Sequence, residues 1–74
     1  MKVTVKLFAT LRRGRFDVNT LDCPDGTRVQ DIVRQLAIEE KDAAIIFLNS
    51  RHAGLSTTLG EGDTLAIFPP VGGG

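Results

Sequence analysis

The sequence predicts an α+β roll, in which a mixed sheet of four or five strands packs on one main helix. Three observations predict it: strand-like alternation near both ends, one amphipathic helix between them, and turn signals separating the elements. The 74 residues leave room for one domain. A single helix can cover only one face of a sheet, so the predicted fold has two layers.

The first two predicted strands form an antiparallel pair. Apolar residues alternate with polar ones from Val3 to Leu7, which is typical of a half-buried strand. Phe8 falls on the polar side of this alternation, and we therefore expect it on the exposed sheet face. After a polar loop at 11–15, residues 17–23 form the second strand, and the break in alternation before Leu21 suggests a β-bulge.

The helix is predicted over residues 28–37, after a Pro-Asp-Gly turn at 24–26. Apolar residues recur there at i, i+3, i+4 and i+7, which places them on one helical face. Thr27 and Gln30 fit a capping box, with Thr27 as the N-cap.

Three further strands are predicted in the second half of the chain. The apolar run 43–48 indicates a strand buried on both sides, and residues 52–53 a short returning strand. A turn at 60–63 leads into the last strand, Thr64–Phe68, whose Ala66 and Phe68 take the exposed side. The order β-β-α-β-(short β)-β is that of a β-grasp fold.

The amino-acid composition argues against several classes of partner and site. Nine Lys and Arg balance nine Asp and Glu, which argues against nucleic acid or an anionic membrane as the main partner. No apolar run is long enough for a membrane span or a signal peptide, so we expect a cytoplasmic protein. With one Cys and one His, neither an internal disulfide nor a typical zinc site is expected, and Cys23 is predicted to be a buried small hydrophobe.

The C-terminus carries the only unusual reactive group. We predict a domain over residues 1–70 and a flexible, glycine-rich tail over 71–74, stiffened at its base by Pro69 and Pro70. The tail spans roughly 13 Å when extended, which suits a narrow channel in another protein. The Gly74 carboxylate is ionised and unreactive until a partner activates it, most simply as an acyl-adenylate. The alternative is an inert terminal loop or linker.

The chain resembles the MoaD/ThiS family of ubiquitin-like sulfur carriers, and most of all the small subunit of molybdopterin synthase. The resemblance covers the whole chain and rests on residues 5–12, on 24–27 and on Asn49. Its most specific part is Gly-Asp-Thr-Leu-Ala-Ile-Phe-Pro-Pro-Val at 62–71, which runs into the terminal glycines.

The resemblance implies a carrier and no catalytic groups of its own. A ubiquitin-activating-type adenylating enzyme uses ATP to activate Gly74, a sulfur-donating protein supplies sulfur, and the thiocarboxylate enters the large subunit of molybdopterin synthase. No tightly bound cofactor or metal is implied. The implied partner-binding residues are Phe8, His52, Phe68, Pro69, Pro70, Val71, Gly72 and Gly73.

Three other functions stay open at this point. The same fold could donate sulfur to thiazole or cysteine synthesis, or to a tungsten-type pterin. It could be a protein modifier joined through Gly74 to lysines, or a plain interaction module with an inert tail.

Overall fold

The computed structural model describes residues 1–70 as one sheet packed on one α-helix. The six elements are β1 (Lys2–Leu7), β2 (Val18–Asp22), α1 (Val29–Gln35), β3 (Ile45–Leu48), β4 (Arg51–His52) and β5 (Thr64–Phe68). Short 3₁₀ helices lie at Ala9–Arg12 and Glu40–Asp42. The predicted α+β class and element order are confirmed, and β5 has the predicted bounds.

The five strands lie in the order β2-β1-β5-β3-β4. The central pair, β1 and β5, is parallel, and the other pairs are antiparallel. A parallel pair cannot be joined by a hairpin, so the chain crosses over between β1 and β5 through α1. The first and last strands therefore lie side by side in the centre of the sheet.

The core lies between α1 and one face of the sheet. Eight large side chains in it are fully buried, five from the central strands and three from the helix. They are Val3, Val5, Leu7, Leu65 and Ile67 from the sheet, and Val29, Ile32 and Val33 from α1. The opposite sheet face, which we call the outer face, is not covered by a second layer within residues 1–70.

The helix begins one residue later than predicted and is shorter. Arg28 is the N-cap, and its backbone N–H donates to Asp31 Oδ2 at 2.9 Å. The predicted pair was therefore wrong: Thr27 is buried and its hydroxyl donates to the Pro24 carbonyl at 2.7 Å. The Asp31 carboxylate is a stronger acceptor than the amide of Gln30, which accounts for the shift.

Three strand predictions were also wrong. The β1–β2 ladder is continuous from Lys2↔Asp22 to Lys6↔Val18, without a bulge. The alternation breaks because Val18 is an apolar residue on the outer face, where it is 57% exposed. In β3 only Ile46 is buried, and Ile45 and Phe47 are half-buried because no layer covers their side. The returning strand is Arg51–His52, one residue earlier than predicted.

No helix within residues 1–70 combines the length and the apolar character needed to cross a bilayer.

Candidate functional site

The outer face carries two stacked aromatic rings beside the C-terminal end of β5. The parallel register pairs Leu7 with Ile67, which brings the next residues, Phe8 and Phe68, side by side. Their ring centroids lie 4.1 Å apart, with an angle of 7° between the planes. Both side chains are half-buried on the face opposite the core, as their alternation predicts.

The stack extends across β3 and β4. Phe47 meets Phe68 edge to face, with centroids 5.9 Å apart and planes at 87°. His52, exposed on β4, lies against Phe47 with centroids 4.5 Å apart. At the other end, the Arg12 guanidinium carbon lies 5.4 Å from the centroid of Phe8. We call Phe8, Phe68, Phe47 and His52 the aromatic row.

Sequence reasoning missed Phe47 as a member of this surface. In a continuous apolar run, the sequence does not show which side chains face the core. Both sides of β3 are therefore predicted to be buried. The antiparallel register settles the matter, because Phe47 pairs with Ala66, which shares the outer face with Phe68. Ala66 and Phe68 are predicted to be exposed, and this was the signal that could have placed Phe47 on the outer face.

A shallow groove of about 610 Å³ runs along the aromatic row. Its lining is mostly aromatic and neutral polar, with one ammonium group. Such a surface can bind an apolar partner group, but it offers no pair of groups for proton transfer. The residues that line the groove are Lys6, Phe8, Phe47, Asn49, Ser50, Thr64, Ala66 and Phe68.

The β3–β4 hairpin that carries His52 is fastened to β5 by Asn49. Asn49 Nδ2 donates to Asp63 Oδ1 at 2.9 Å, and the Thr64 N–H donates to Asn49 Oδ1 at 2.9 Å. Asp63 Oδ2 in turn accepts from the Gly60 N–H at 2.7 Å. Asn49 and Ser50 form the two-residue turn with φ of 52° and 70°, a conformation that asparagine tolerates. The network holds β4 in register, so that His52 lies against Phe47.

The sheet ends where the aromatic row lies. The Phe68 carbonyl accepts a backbone hydrogen bond from the Ala44 N–H at 3.0 Å. Pro69 and Pro70 follow, and they have no N–H to continue a ladder. The other predicted site residues, Val71, Gly72, Gly73 and Gly74, lie outside the described residues. The described part of the predicted site is thus an open aromatic surface at the base of the C-terminal segment.

Cys23 lies at the other end of β1 from the aromatic row. The side chain is buried, as predicted, and the Cys23 N–H donates to the Met1 carbonyl at 2.8 Å. Burial raises the pKa of the thiol, Asp22 raises it further, and the N-terminal ammonium opposes both. This thiol is therefore poorly suited to act as a nucleophile at neutral pH. Within residues 1–70, no three His, Cys, Asp or Glu side chains cluster to hold a metal ion.

Several solved structures share this architecture. SAMP1, a small archaeal modifier protein from Haloferax volcanii, is 28% identical with a TM-score of 0.78, and the match covers 100% of each chain. A protein from Pyrococcus furiosus, described as molybdopterin converting factor subunit 1, is 30% identical with a TM-score of 0.73, covering 96% of this chain and 99% of that one. A chain from the complex of subunits 1 and 2 of the Helicobacter pylori molybdopterin-converting factor is 26% identical with a TM-score of 0.65, covering 100% of each chain.

The fold and its open aromatic face define a ubiquitin-like β-grasp protein, the class that includes small sulfur carriers and modifiers. The chain belongs to the ThiS family, which matches residues 5–74. It is thus a member of a family of small carrier proteins that work with partner enzymes. No curated protein matches the sequence.

Proposed function

We propose that this protein carries sulfur as a thiocarboxylate on Gly74 and donates it in molybdopterin biosynthesis, as the small subunit of a molybdopterin synthase. One observation carries the proposal: the aromatic row includes Phe68, the last residue of β5, after which Pro69 and Pro70 lead into the terminal glycines. A partner that docks on the row is therefore positioned to receive the C-terminus.

The chemistry begins at a carboxylate that needs activation. A Gly74 carboxylate oxygen attacks the α-phosphorus of ATP and releases pyrophosphate, which leaves an acyl-adenylate. A hydrosulfide displaces AMP and gives the thiocarboxylate directly. A protein persulfide gives an acyl disulfide, which a thiol must then cleave. We assign the ATP site to the adenylating enzyme and the sulfur donor to a second partner protein; residues 1–74 contain no Gly-x-x-x-x-Gly-Lys phosphate-binding motif.

Two relatives support the molybdopterin assignment. The Pyrococcus furiosus protein is described as subunit 1 of molybdopterin converting factor, and the Helicobacter pylori protein forms a complex with subunit 2 of that factor. The Phe-Pro-Pro-Val segment at 68–71 resembles the molybdopterin branch more than the thiazole branch. The large subunit is the proposed partner for the loaded carrier.

A second candidate is a protein modifier joined through Gly74 to lysine side chains. The likeness to SAMP1 favours it, since that match has a TM-score of 0.78 over the full length of both chains. The first step is the same, but an amine and not a sulfur nucleophile displaces AMP. A carrier for thiazole or cysteine synthesis would form the same thiocarboxylate as a molybdopterin carrier. The two functions differ only in the molecule that accepts the sulfur.

Intact mass tests the shared thiocarboxylate. The full chain is incubated with ATP, sulfide and its adenylating enzyme, and we expect a mass gain equal to one oxygen replaced by sulfur. Deleting residues 72–74, which removes every terminal glycine, should abolish the gain. Gly54→Ala is the matched control, because a Cβ at Gly54 meets no atom within 4 Å, and this variant should load normally. Failure of the wild type to load, with an enzyme that loads another family member, would contradict the proposal.

The acceptor is tested next. The thiocarboxylated chain is mixed with a molybdopterin synthase large subunit and the pterin precursor, and we expect dithiolene formation with return of the carboxylate mass. Conjugates to lysines on a denaturing gel, without dithiolene formation, would favour the modifier.

A further inference from the structure

A lysine lies beside the aromatic row on the outer face. Lys6 is on β1, paired in register with Val18 of β2 and Ala66 of β5. It lines the groove together with Phe8 and Phe68, and its side chain is exposed. Any protein that covers the aromatic row therefore covers this ammonium group as well.

The charge of Lys6 is not compensated within residues 1–70. Its four neighbours on the outer face are Thr4, Phe8, Val18 and Ala66, and none carries a charge. The described part of the chain contains no ion pair for Lys6.

Three other cations of residues 1–70 have acidic partners, and one of them is Lys41, whose Nζ lies 3.4 Å from Glu39 Oε2. Lys2 Nζ lies 3.2 Å from Asp22 Oδ1, and Arg12 Nε lies 3.5 Å from Asp17 Oδ1. Lys2 and Arg12 therefore have a counter-charge, whereas Lys6, between Val18 and Ala66, has none within residues 1–70.

We infer that Lys6 determines partner specificity: the adenylating enzyme, when it docks on the outer face, places an aspartate or glutamate carboxylate against Lys6 Nζ. The inference rests on the proposed function, because it assumes that the aromatic row is the docking surface. An ammonium covered by an apolar surface without a counter-charge loses its hydration and gains nothing in return. A partner with an acidic side chain at this place is therefore favoured, and a partner with a basic one is rejected.

The competing explanation is that Lys6 only keeps an apolar face soluble. The Lys6→Met variant keeps the aliphatic part of the side chain and removes the charge. The two explanations predict opposite changes in docking affinity for this variant. A partner carboxylate would lose its counter-ion, so docking would weaken. Without such a carboxylate, docking would stay the same or tighten, because no ammonium would have to be desolvated.

The test measures the KM for the carrier in adenylation by its adenylating enzyme. We expect Lys6→Met to raise this KM several-fold and Lys6→Glu to raise it by about tenfold or more, with kcat little changed. The effect of Lys6→Glu should shrink between about 0.05 M and about 0.5 M salt. Lys41→Glu is the matched control: it makes the same charge change on the exposed 3₁₀ helix Glu40–Asp42 and should leave the KM within about twofold.

Two results would overturn the inference. One is a Lys6→Met variant with the same or a lower KM, and the other is Lys6→Glu behaving like Lys41→Glu. Loading of the wild type with sulfur tests the proposed function separately. If the wild type loads sulfur and the Lys6 variants behave like the control, the inference fails and the proposed function stands. Reversing the opposing partner carboxylate to lysine should restore docking of Lys6→Glu.

Discussion

Phe8 and Phe68 come from opposite ends of the chain and stack face to face, with ring centroids 4.1 Å apart. The parallel pairing of β1 with β5 produces this contact, because it aligns the C-terminal ends of both strands. The stack therefore marks the end of the sheet at which the chain continues into its terminal glycines. This arrangement places an aromatic surface directly before the C-terminal segment.

Phe68→Ala should weaken docking far more than it weakens folding. Phe68 contacts both Phe8 and Phe47 in the aromatic row, so its loss removes two ring contacts. Aromatic anchors at the centre of an interface contribute about 2 kcal/mol or more, so the KM for the carrier in adenylation should rise about 30-fold. Phe16→Ala is the control, since Phe16 packs against the core. It should lower the unfolding free energy and leave the KM unchanged, and an equal rise in KM would contradict a docking role for the row.

Asn49→Ala should lower the free energy of unfolding by about 2–3 kcal/mol. The change removes hydrogen bonds to Asp63 and Thr64, and it places alanine at a φ of 52°. Asn49→Gly loses the same hydrogen bonds but tolerates the positive φ, so it should be more stable than Asn49→Ala by about 1 kcal/mol. Urea denaturation measures both variants, and equal stabilities would show that the turn conformation costs alanine nothing.

Arg15→Lys should destabilise the protein although the charge is kept. The guanidinium donates to the carbonyls of Leu36 at 2.8 Å, Leu11 at 3.1 Å and Ala37 at 3.1 Å, which ties the 3₁₀ helix after β1 to the end of α1. An ammonium cannot reproduce this planar fork, and we expect a loss of about 1–2 kcal/mol in thermal or urea unfolding.

Arg13→Lys is the control for that change. Arg13 is an exposed residue, and its replacement should shift the unfolding free energy by less than about 0.5 kcal/mol. If the two variants had the same stability, the carbonyl contacts of Arg15 would contribute nothing.

Stability should fall at alkaline pH in a way that depends on Cys23. Burial raises the pKa of this thiol, so the folded state favours the neutral form. The contribution of the neutral thiol to the free energy of unfolding is fully present below the ordinary thiol pKa. It is lost as the pH rises through the raised pKa of the folded state. The difference in unfolding free energy between wild type and Cys23→Ala should therefore shrink with rising pH above the ordinary thiol pKa, and a constant difference would contradict this. Alkylation by iodoacetamide at neutral pH should be at least about tenfold slower in the native state than in urea.

Local patterns predicted most of the fold. The bounds of β5 and the outward placement of Phe8 and Phe68 followed from alternation with a period of two and from the prolines that end the strand. Where apolar residues did not alternate, prediction was weaker. The sequence predicts Leu11 in a polar loop, yet it is buried in a 3₁₀ helix, because a single apolar residue between Thr10 and Arg12 carries no periodic signal.

The amino-acid sequence by itself determined the order of the elements, the central position of the helix and the glycine terminus, because these depend on local periodicity and on the backbone properties of glycine and proline. Only the tertiary structure decided that Phe47 and His52 join Phe8 and Phe68 in one row, and that Lys6 stands among uncharged neighbours. These contacts depend on which strands pair, in which register, and on which face of the sheet stays uncovered. Residues distant in the chain settle those choices jointly, so no local pattern contains them.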